Sequence, residues 1–213
     1  MHKEGDALLI QQPVYYPFRE VIEDNGRIFV NNQLHYEDGK YTIDFEDFEK
    51  KIVDNNVKVF ILCNPHNPVG RVWTKEELEK MGDICLKHNV VIMDDEIHCD
   101  FTYPGFKFTS FMTLDEKYHN SLVLYTSPSK TFNVAGLQPA NIIIKNPELR
   151  AAYRKANAAA GYSQGSIMGQ VAVKSVYTKG DEWVNELVEY ITGNMNYMRD
   201  FVKENFPKAH FVD

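Results

Sequence analysis

The sequence is organised around the stretch Ser121-Leu122-Val123-Leu124-Tyr125-Thr126-Ser127-Pro128-Ser129-Lys130-Thr131-Phe132. Its first part, Ser121 to Tyr125, is typical of a buried strand, and the rest leads towards a turn at Ala135-Gly136. A lysine just past the end of a buried strand, with hydroxyl groups beside it, can lie over a pocket. Partly shielded from water, its amine can form a Schiff base with an aldehyde. Taken alone, the stretch leaves open the simpler interpretation of a solvated loop lysine.

Two further motifs follow apolar runs in the same way. The segment Asn64-Pro65-His66-Asn67-Pro68-Val69-Gly70-Arg71 comes directly after the run Val57 to Leu62. The segment Asp94-Asp95-Glu96-Ile97-His98 comes directly after the run Val90 to Met93. Open α/β sheets bind ligands at the carboxyl ends of their parallel strands. We therefore expect all three motifs to meet in one crevice.

The order of the predicted elements indicates the fold class. Strand and helix patterns alternate up to Pro147, and only helices follow, which predicts an α/β fold with a mainly parallel, doubly wound sheet between two layers of helices. Asp44 is a predicted N-cap, and Thr74 with Glu77 forms a capping-box pattern. The predicted strands cover 7–10, 27–30, 57–62, 90–93, 121–125 and 141–144; the last three predicted helices cover 148–159, 164–177 and about 183–206.

The three motifs together resemble those of the class I/II aminotransferase-like enzymes, which depend on pyridoxal 5′-phosphate (PLP). Within that family, Asp95-Glu96-Ile97-His98 and the stretch Lys130 to Gln138 are similar to the cystathionine β-lyase branch. The resemblance runs along nearly all of the chain. It implies that residues 1–182 form a PLP-binding large domain without its N-terminal arm, and that residues 183–213 lead into a truncated C-terminal small domain.

The resemblance also implies roles at the reactive end of the cofactor. Lys130 is the Schiff-base lysine and the base that moves the Cα proton of the substrate. Asp95 pairs with the protonated pyridine nitrogen, which is expected to depress the pKa of its carboxyl. Asn67 donates to the phenolic oxygen of PLP, and His98 occupies the partner position where aminotransferases commonly have tyrosine. Without the resemblance, Asp95 is open to interpretation as a strand-end cap or a salt-bridge partner, and Asn67 is best interpreted as a turn residue between prolines.

Three more residues are implied at the ring face and the phosphate. Tyr15 falls where family members stack an aromatic ring on the cofactor, although a core tyrosine is the competing interpretation. Ser127 and Ser129 are candidate phosphate ligands, with Ser127 favoured by register. Where many relatives have a phosphate-binding arginine, this chain has Gln138, which removes a strong charge-assisted contact.

The implied activity is that of a carbon-sulfur β-lyase, which cleaves cystathionine or cysteine S-conjugates to a thiol, pyruvate and ammonia. The first alternative is an aminotransferase that passes the amino group to a 2-oxo acid, since both reactions begin with the same residues. The second alternative is that the chain by itself is an inactive structural domain. The resemblance also implies a small amino-acid substrate and a homodimer in the full-length enzyme.

Composition excludes several other classes. A net charge of -7 and a pI of about 5.5 argue against a nucleic-acid surface, and no apolar run is long enough for a bilayer span. Cys63, Cys85 and Cys99 have no paired spacing, so we expect reduced thiols in a cytoplasmic protein. The spacing of His66, His98, Cys99 and Asp95 matches no zinc pattern, so no metal is expected.

Overall fold

The computed structural model of the protein describes residues 3–162 and 165–212. Six strands form one sheet in the order β2-β1-β5-β6-β7-β8, and two short strands form a separate hairpin. All pairs in the large sheet are parallel except β7 with β8. The strands are β1 (Ala7–Ile10), β2 (Ile28–Asn31), β3 (His35–Glu37), β4 (Lys40–Thr42), β5 (Val59–Cys63), β6 (Val91–Asp95), β7 (Leu122–Thr126) and β8 (Asn141–Ile143). The expected mainly parallel sheet is confirmed.

Six α-helices accompany these strands, and two of them begin at the predicted caps. The Asp44 side chain accepts the Asp47 N–H, and Thr74 and Glu77 form the reciprocal capping box. The third helix buries Leu78, Met81 and Cys85, the face predicted from the 3.6-residue period. The helices are α1 (Pro17–Asp24), α2 (Phe45–Asp54), α3 (Lys75–Lys87), α4 (Pro147–Ala159), α5 (Ile167–Lys179) and α6 (Asp181–Asn205). The predicted start of the fifth helix at 164 lies outside the described residues.

The hairpin of β3 and β4 was not predicted. The segment 31–42 reads as polar with a turn at Asp38-Gly39, and the structure places that turn between two three-residue strands. No residue of either strand is buried, so the apolar alternation that reveals a strand is missing. Packing of Tyr36 against Tyr41, with ring centroids 5.0 Å apart, holds the pair together.

The core lies on both faces of the sheet and leaves its carboxyl edge open. Every residue of β5 is buried. Phe60 and Leu62 pack with α2 and α3 on one face, whereas Val59 and Ile61 pack with Ile22 of α1 on the other. Strands buried on both faces are expected of a parallel sheet. Within the described residues, no helix has the length and apolar character that a membrane crossing needs.

Candidate active site

The three sequence motifs begin at neighbouring strand ends. In the register of the sheet, Cys63 lies opposite Asp95, and Asp95 lies opposite Tyr125. The Asn64 N–H donates to the Asp95 carbonyl at 2.9 Å, and the Glu96 N–H donates to the Tyr125 carbonyl at 2.9 Å. Since adjacent strands are about 4.8 Å apart, the loops that carry Asn67, Asp95 and Lys130 leave one short stretch of a single sheet edge.

Asp95 is a half-buried carboxylate that accepts one hydrogen bond from the described residues. Its Oδ1 accepts the Ile97 N–H at 3.1 Å, and Oδ2 accepts no hydrogen bond within the described part of the chain. Burial raises the pKa of Asp95, against the opposite effects of the Ile97 N–H and the Lys130 charge. The depressed pKa expected from the sequence is therefore not found among the described residues, where the effect of burial exceeds that of the Lys130 charge. A ligand with a positive charge fits beside this carboxylate.

The Lys130 ammonium acts on two other predicted residues. Its charge lowers the pKa of Asp95 and, after burial, is the second cause that lowers the pKa of His98. The Lys130 side chain itself is exposed, so the described residues do not provide the shielding expected from the sequence. Its loop is nevertheless fixed, because the Phe132 N–H donates to the Pro128 carbonyl and the Val134 N–H to the Ser129 carbonyl.

Asn67 lies in a tight turn beside β5. Its N–H donates to the Cys63 Sγ at 3.4 Å. The turn is closed by the Gly70 N–H on the His66 carbonyl and the His66 N–H on the Arg71 carbonyl, at 2.9 and 2.7 Å. The Asn67 side-chain amide makes no hydrogen bond to the residues described here. A half-buried amide on a fixed turn is suited to donate to a ligand oxygen.

The two serines of the lysine loop differ in their hydrogen bonds. The Ser127 hydroxyl donates to the Pro139 carbonyl at 2.5 Å and accepts the Ser129 N–H at 3.1 Å. Its single hydrogen is therefore already used to tie the loop to the start of β8. The Ser129 hydroxyl is equally buried but donates to no atom in the described ranges. As a donor to a phosphate, Ser129 is thus better placed than Ser127, the residue that register favours.

Tyr15 lies on the loop after β1, next to the Asn67 turn. Its side chain is 40% exposed, and its ring meets the Phe18 ring edge-on at 5.7 Å. The alternative of a core tyrosine does not hold at this exposure. Part of the ring, which also meets the Tyr16 ring at 5.7 Å, is therefore accessible to a ligand.

Two contacts at the site were not foreseen from the sequence. The buried Thr131 hydroxyl donates to the Asp100 Oδ2 at 2.7 Å and so joins the lysine loop to the segment after His98. Asp94 is fully buried, and neither of its carboxylate oxygens has a hydrogen-bond partner among the described residues; burial and then the charge of nearby Glu96 raise the pKa of Asp94. Both depend on contacts between loops, for which a linear pattern holds no signal. Across 3–162 and 165–212, no three His, Cys, Asp or Glu side chains cluster as metal ligands do.

Comparison with known proteins identifies the family. Residues 1–210 match the family described as aminotransferase class I and II. The chain belongs to this family. It is 43% identical to cystathionine beta-lyase PatB of Bacillus subtilis (strain 168), over 98% of this chain and 54% of that protein. This relative is a cystathionine β-lyase, the branch of the family that the sequence motifs resemble.

Solved structures of relatives agree with the fold and with the cofactor of the family. Cystalysin from Treponema denticola, whose crystal structure contains PLP, has a TM-score of 0.94 and 40% identity over 97% of this chain and 52% of its own. The PLP-bound C-S lyase from Staphylococcus hominis has a TM-score of 0.90 and 34% identity, over 97% and 52% of the two chains. The chain spans about half the length of these relatives and of PatB.

The residues at the sheet edge fit PLP. Its protonated pyridine nitrogen is the cation that the half-buried Asp95 carboxylate lacks. Its aldehyde requires an amine, and the Lys130 amine lies near enough to act electrostatically on both Asp95 and His98. Asn67 and Ser129 offer an amide and a hydroxyl that donate to no described neighbour, and Tyr15 offers a partly exposed ring. The donor set matches the chemistry of the ring, its oxygen and its phosphate.

Proposed function

We propose that this chain is the cofactor-binding part of a PLP-dependent carbon-sulfur β-lyase. The observation that carries the proposal is that the loops of Asn67, Asp95 and Lys130 leave neighbouring strand ends of one sheet edge; the effect of the Lys130 charge on the pKa values of Asp95 and His98 agrees with it. Identity to a cystathionine β-lyase along nearly the whole chain supports the same function. The proposed substrates are cystathionine and other cysteine S-conjugates.

PLP, when bound, supplies an aldehyde that a substrate amine can enter and a protonated ring that withdraws electrons from the substrate Cα. Asp95 Oδ2 would accept the hydrogen bond of the protonated pyridine nitrogen, and His98, whose pKa is lowered by burial, would occupy the position where aminotransferases commonly have tyrosine. The Asn67 amide donates to the phenolic oxygen, and the Tyr15 ring covers one face of the cofactor. Ser129 donates to the phosphate, with Ser127 in the same loop as the second candidate.

The Lys130 amine performs the proton transfer in this proposal. Its Nζ takes the proton from the substrate Cα, and the thiolate then leaves from Cβ with its bonding electron pair. Hydrolysis of the remaining three-carbon unit gives pyruvate and ammonia. The exposure of Lys130 in this chain indicates that other parts of the full protein cover the amine, because such a base works best when shielded from water.

An aminotransferase is the second candidate within the same family, and its family description supports it. It would use Lys130 to return the proton to the cofactor carbon rather than let a Cβ substituent leave. The replacement of the phosphate-binding arginine by Gln138, together with His98, favours the lyase. Gln138 is exposed, and its backbone lies in the left-handed region at φ 51°.

We infer a large domain over residues 1–182 and a segment 183–213, which contains most of α6 (Asp181–Asn205) and leads into a smaller domain, since α6 has no buried residue. A homodimer of the full-length protein in the cytoplasm is consistent with exposed apolar side chains on α5 and α6 and with free cysteines. Measuring the mass of the natural protein in solution tests the dimer.

Incubating the natural protein that contains this chain with cystathionine tests the activity. Pyruvate formed without any added 2-oxo acid supports the lyase, and the Lys130→Ala variant serves as the inactive control. Strict dependence of turnover on a 2-oxo acid would establish the aminotransferase instead. If the protein takes up PLP but forms neither product, the substrate class is wrong; if it takes up no PLP, the chain is only a structural domain.

A further inference from the structure

His66 is a buried ring that no proposed cofactor contact uses. It is 2% exposed and packs edge-on against the Trp73 indole, with ring centroids 5.3 Å apart and planes at 79°. Its Nε2 lies 3.0 Å from the carbonyl oxygen of Pro13, which is 53 residues away in the chain. A buried histidine with a single long-range backbone partner is a specific link between two segments.

That link joins the two loops that carry Tyr15 and Asn67. Pro13 comes two residues before Tyr15, on the loop after β1, and His66 directly precedes Asn67, on the turn after β5. The parallel pairing of β1 with β5 places these loops side by side. Among the described residues, this is the only side-chain hydrogen bond between the segments 11–16 and 64–71.

The chemistry of the contact determines the state of the ring. A carbonyl oxygen only accepts, so Nε2 carries the hydrogen and Nδ1 does not. Burial lowers the pKa of His66 to about 4, against smaller opposite effects from the carbonyls of Pro13, Gln11 and Cys63, and the Arg71 charge lowers it further. Near neutral pH the ring is therefore a neutral donor that holds its tautomer.

His66 is itself held from its own side of the contact. The Arg71 guanidinium lies over the Trp73 ring at 4.7 Å and donates to both carboxylate oxygens of Glu77 at 2.8 Å. The His66 N–H is bonded to the Arg71 carbonyl. The turn and the indole are therefore tied to the first turn of α3, whereas the residues before Pro13 are tied to the segment 31–34, where the Leu34 N–H donates to the Gln12 carbonyl; the His66 contact joins these two supports.

We propose that His66 is a positioning residue of the cofactor site, which sets the distance between the Tyr15 ring and the Asn67 amide by holding the Pro13 carbonyl. The role rests on the proposed function, because it presumes that Tyr15 and Asn67 face one cofactor. His66 touches neither substrate nor cofactor in this account.

Three variants separate the hydrogen bond from the packing. His66→Gln places an N–H donor where Nε2 lies, His66→Phe keeps a ring on Trp73 without a donor, and His66→Asn is a polar side chain too short to reach Pro13. His119 gives the control, because its buried ring also bonds a backbone carbonyl, that of Met112 at 3.1 Å, although its Nδ1 has a second partner, the Lys145 ammonium at 2.9 Å. It precedes β7, at the opposite end of the strands from the site.

Two measurements on the natural protein test the proposal. Amide hydrogen exchange over residues 12–19 of the cofactor-free protein reports the tether, and absorbance titration with PLP reports cofactor affinity. We expect His66→Phe and His66→Asn to raise exchange in that segment and to weaken PLP binding about tenfold, the effect of one buried hydrogen bond. His66→Gln should restore both, and His119→Phe should change neither.

The two measurements also distinguish the possible failures. Unchanged exchange at 12–19 in His66→Phe and His66→Asn would overturn the tether. Raised exchange with wild-type PLP affinity would overturn the positioning role and leave the proposed function intact. A wild-type protein that takes up no PLP would overturn the proposed function together with this role. If His66→Phe does not fold, the pair His66→Asn and His66→Gln decides by the same criteria.

Discussion

The Phe132 ring is stacked on the Trp183 indole, with centroids 5.5 Å apart and planes inclined by 26°. Phe132 comes two residues after Lys130, and Trp183 lies in the first turn of α6. Tyr177 of α5 meets the same Phe132 ring edge-on at 6.5 Å. The loop of the proposed catalytic lysine is therefore packed against the junction of the last two helices.

Gly180 makes this packing possible. A Cβ at Gly180 would lie 2.4 Å from the Phe132 Cε1 and 2.5 Å from the Val176 carbonyl oxygen. We expect Gly180→Ala to displace Phe132, to destabilise the chain by about 1–3 kcal/mol, as overpacking does, and to lower PLP uptake. Urea unfolding and PLP titration measure the two effects.

The control for Gly180 is Gly193 in α6, where an added Cβ would meet no atom within 4 Å. Gly193→Ala should stabilise the helix by up to about 1 kcal/mol and leave PLP uptake unchanged. If Gly180→Ala stabilised the chain as Gly193→Ala does, the close approach of Phe132 would be disproved.

Asp94 and Glu96 form a buried acid pair that predicts a pH dependence. The pKa of Asp94 is raised by burial and by the Glu96 charge, and Glu96 Oε1 accepts the Phe111 N–H at 2.9 Å. A raised carboxyl pKa stabilises the fold fully below the unfolded pKa of about 4, and this contribution is lost as the pH rises. Asp94→Asn keeps the shape of the side chain but has no proton to lose and cannot become charged.

We therefore expect Asp94→Asn to be more stable than the wild type by about 1 kcal/mol or more near pH 8, and to lose less stability between about pH 5 and pH 8. Urea midpoints at the two pH values provide the test. Asp24→Asn, at an exposed position, is the control. It should leave the change of stability between about pH 5 and pH 8 as it is in the wild type. A destabilised Asp94→Asn at high pH would show that Asp94 is ionised and needed as such.

A substitution at Asp95 should lower the affinity for the cofactor without lowering the stability of the fold. Its pKa is raised by burial, so an ionised Asp95 costs stability at neutral pH in the absence of a cation partner. Asp95→Asn keeps the acceptor for the Ile97 N–H. We expect a cofactor-free protein at least as stable as the wild type, with PLP affinity reduced by about tenfold or more. Loss of stability with unchanged affinity would contradict the assigned role.

His66 predicts a change of stability on the acid side. Its pKa is lowered to about 4, so the fold binds this proton less readily than the unfolded chain, for which the pKa is about 6.5. The stability contribution is complete above about pH 6.5 and is lost as the pH falls towards about 4, by about 3 kcal/mol at most. His66→Gln should flatten this decline in urea midpoints. If the stability of His66→Gln fell with pH as steeply as that of the wild type, His66 would not be the group responsible.

Much of the fold was predictable because it depends on local patterns. The buried runs that became β5, β6 and β7, the caps at Asp44 and Thr74 and the apolar face of α3 are each set by residues close in sequence. The edge on which the site lies followed from the parallel sheet. The hairpin of β3 and β4 was missed because its short strands are exposed on both faces.

The details of the site depend on contacts that sequence patterns do not record. The link from His66 to Pro13 spans 53 residues, and the direction of the Ser127 hydroxyl depends on Pro139 across the sheet edge. The exposure of Lys130 depends on which elements cover it. Residue types predicted which side chains belong at the site, whereas tertiary packing decides which of their hydrogen-bonding groups are free.

The most direct test of the central claim is to find which lysine reacts with PLP. The natural protein is incubated with PLP, reduced with borohydride and digested, and the modified peptide is identified by mass spectrometry. We expect the phosphopyridoxyl group on Lys130, lost in Lys130→Arg and retained in the control Lys107→Arg, which changes an exposed loop lysine. Modification at another lysine, or equal modification of Lys130→Arg, would contradict the assignment of the site.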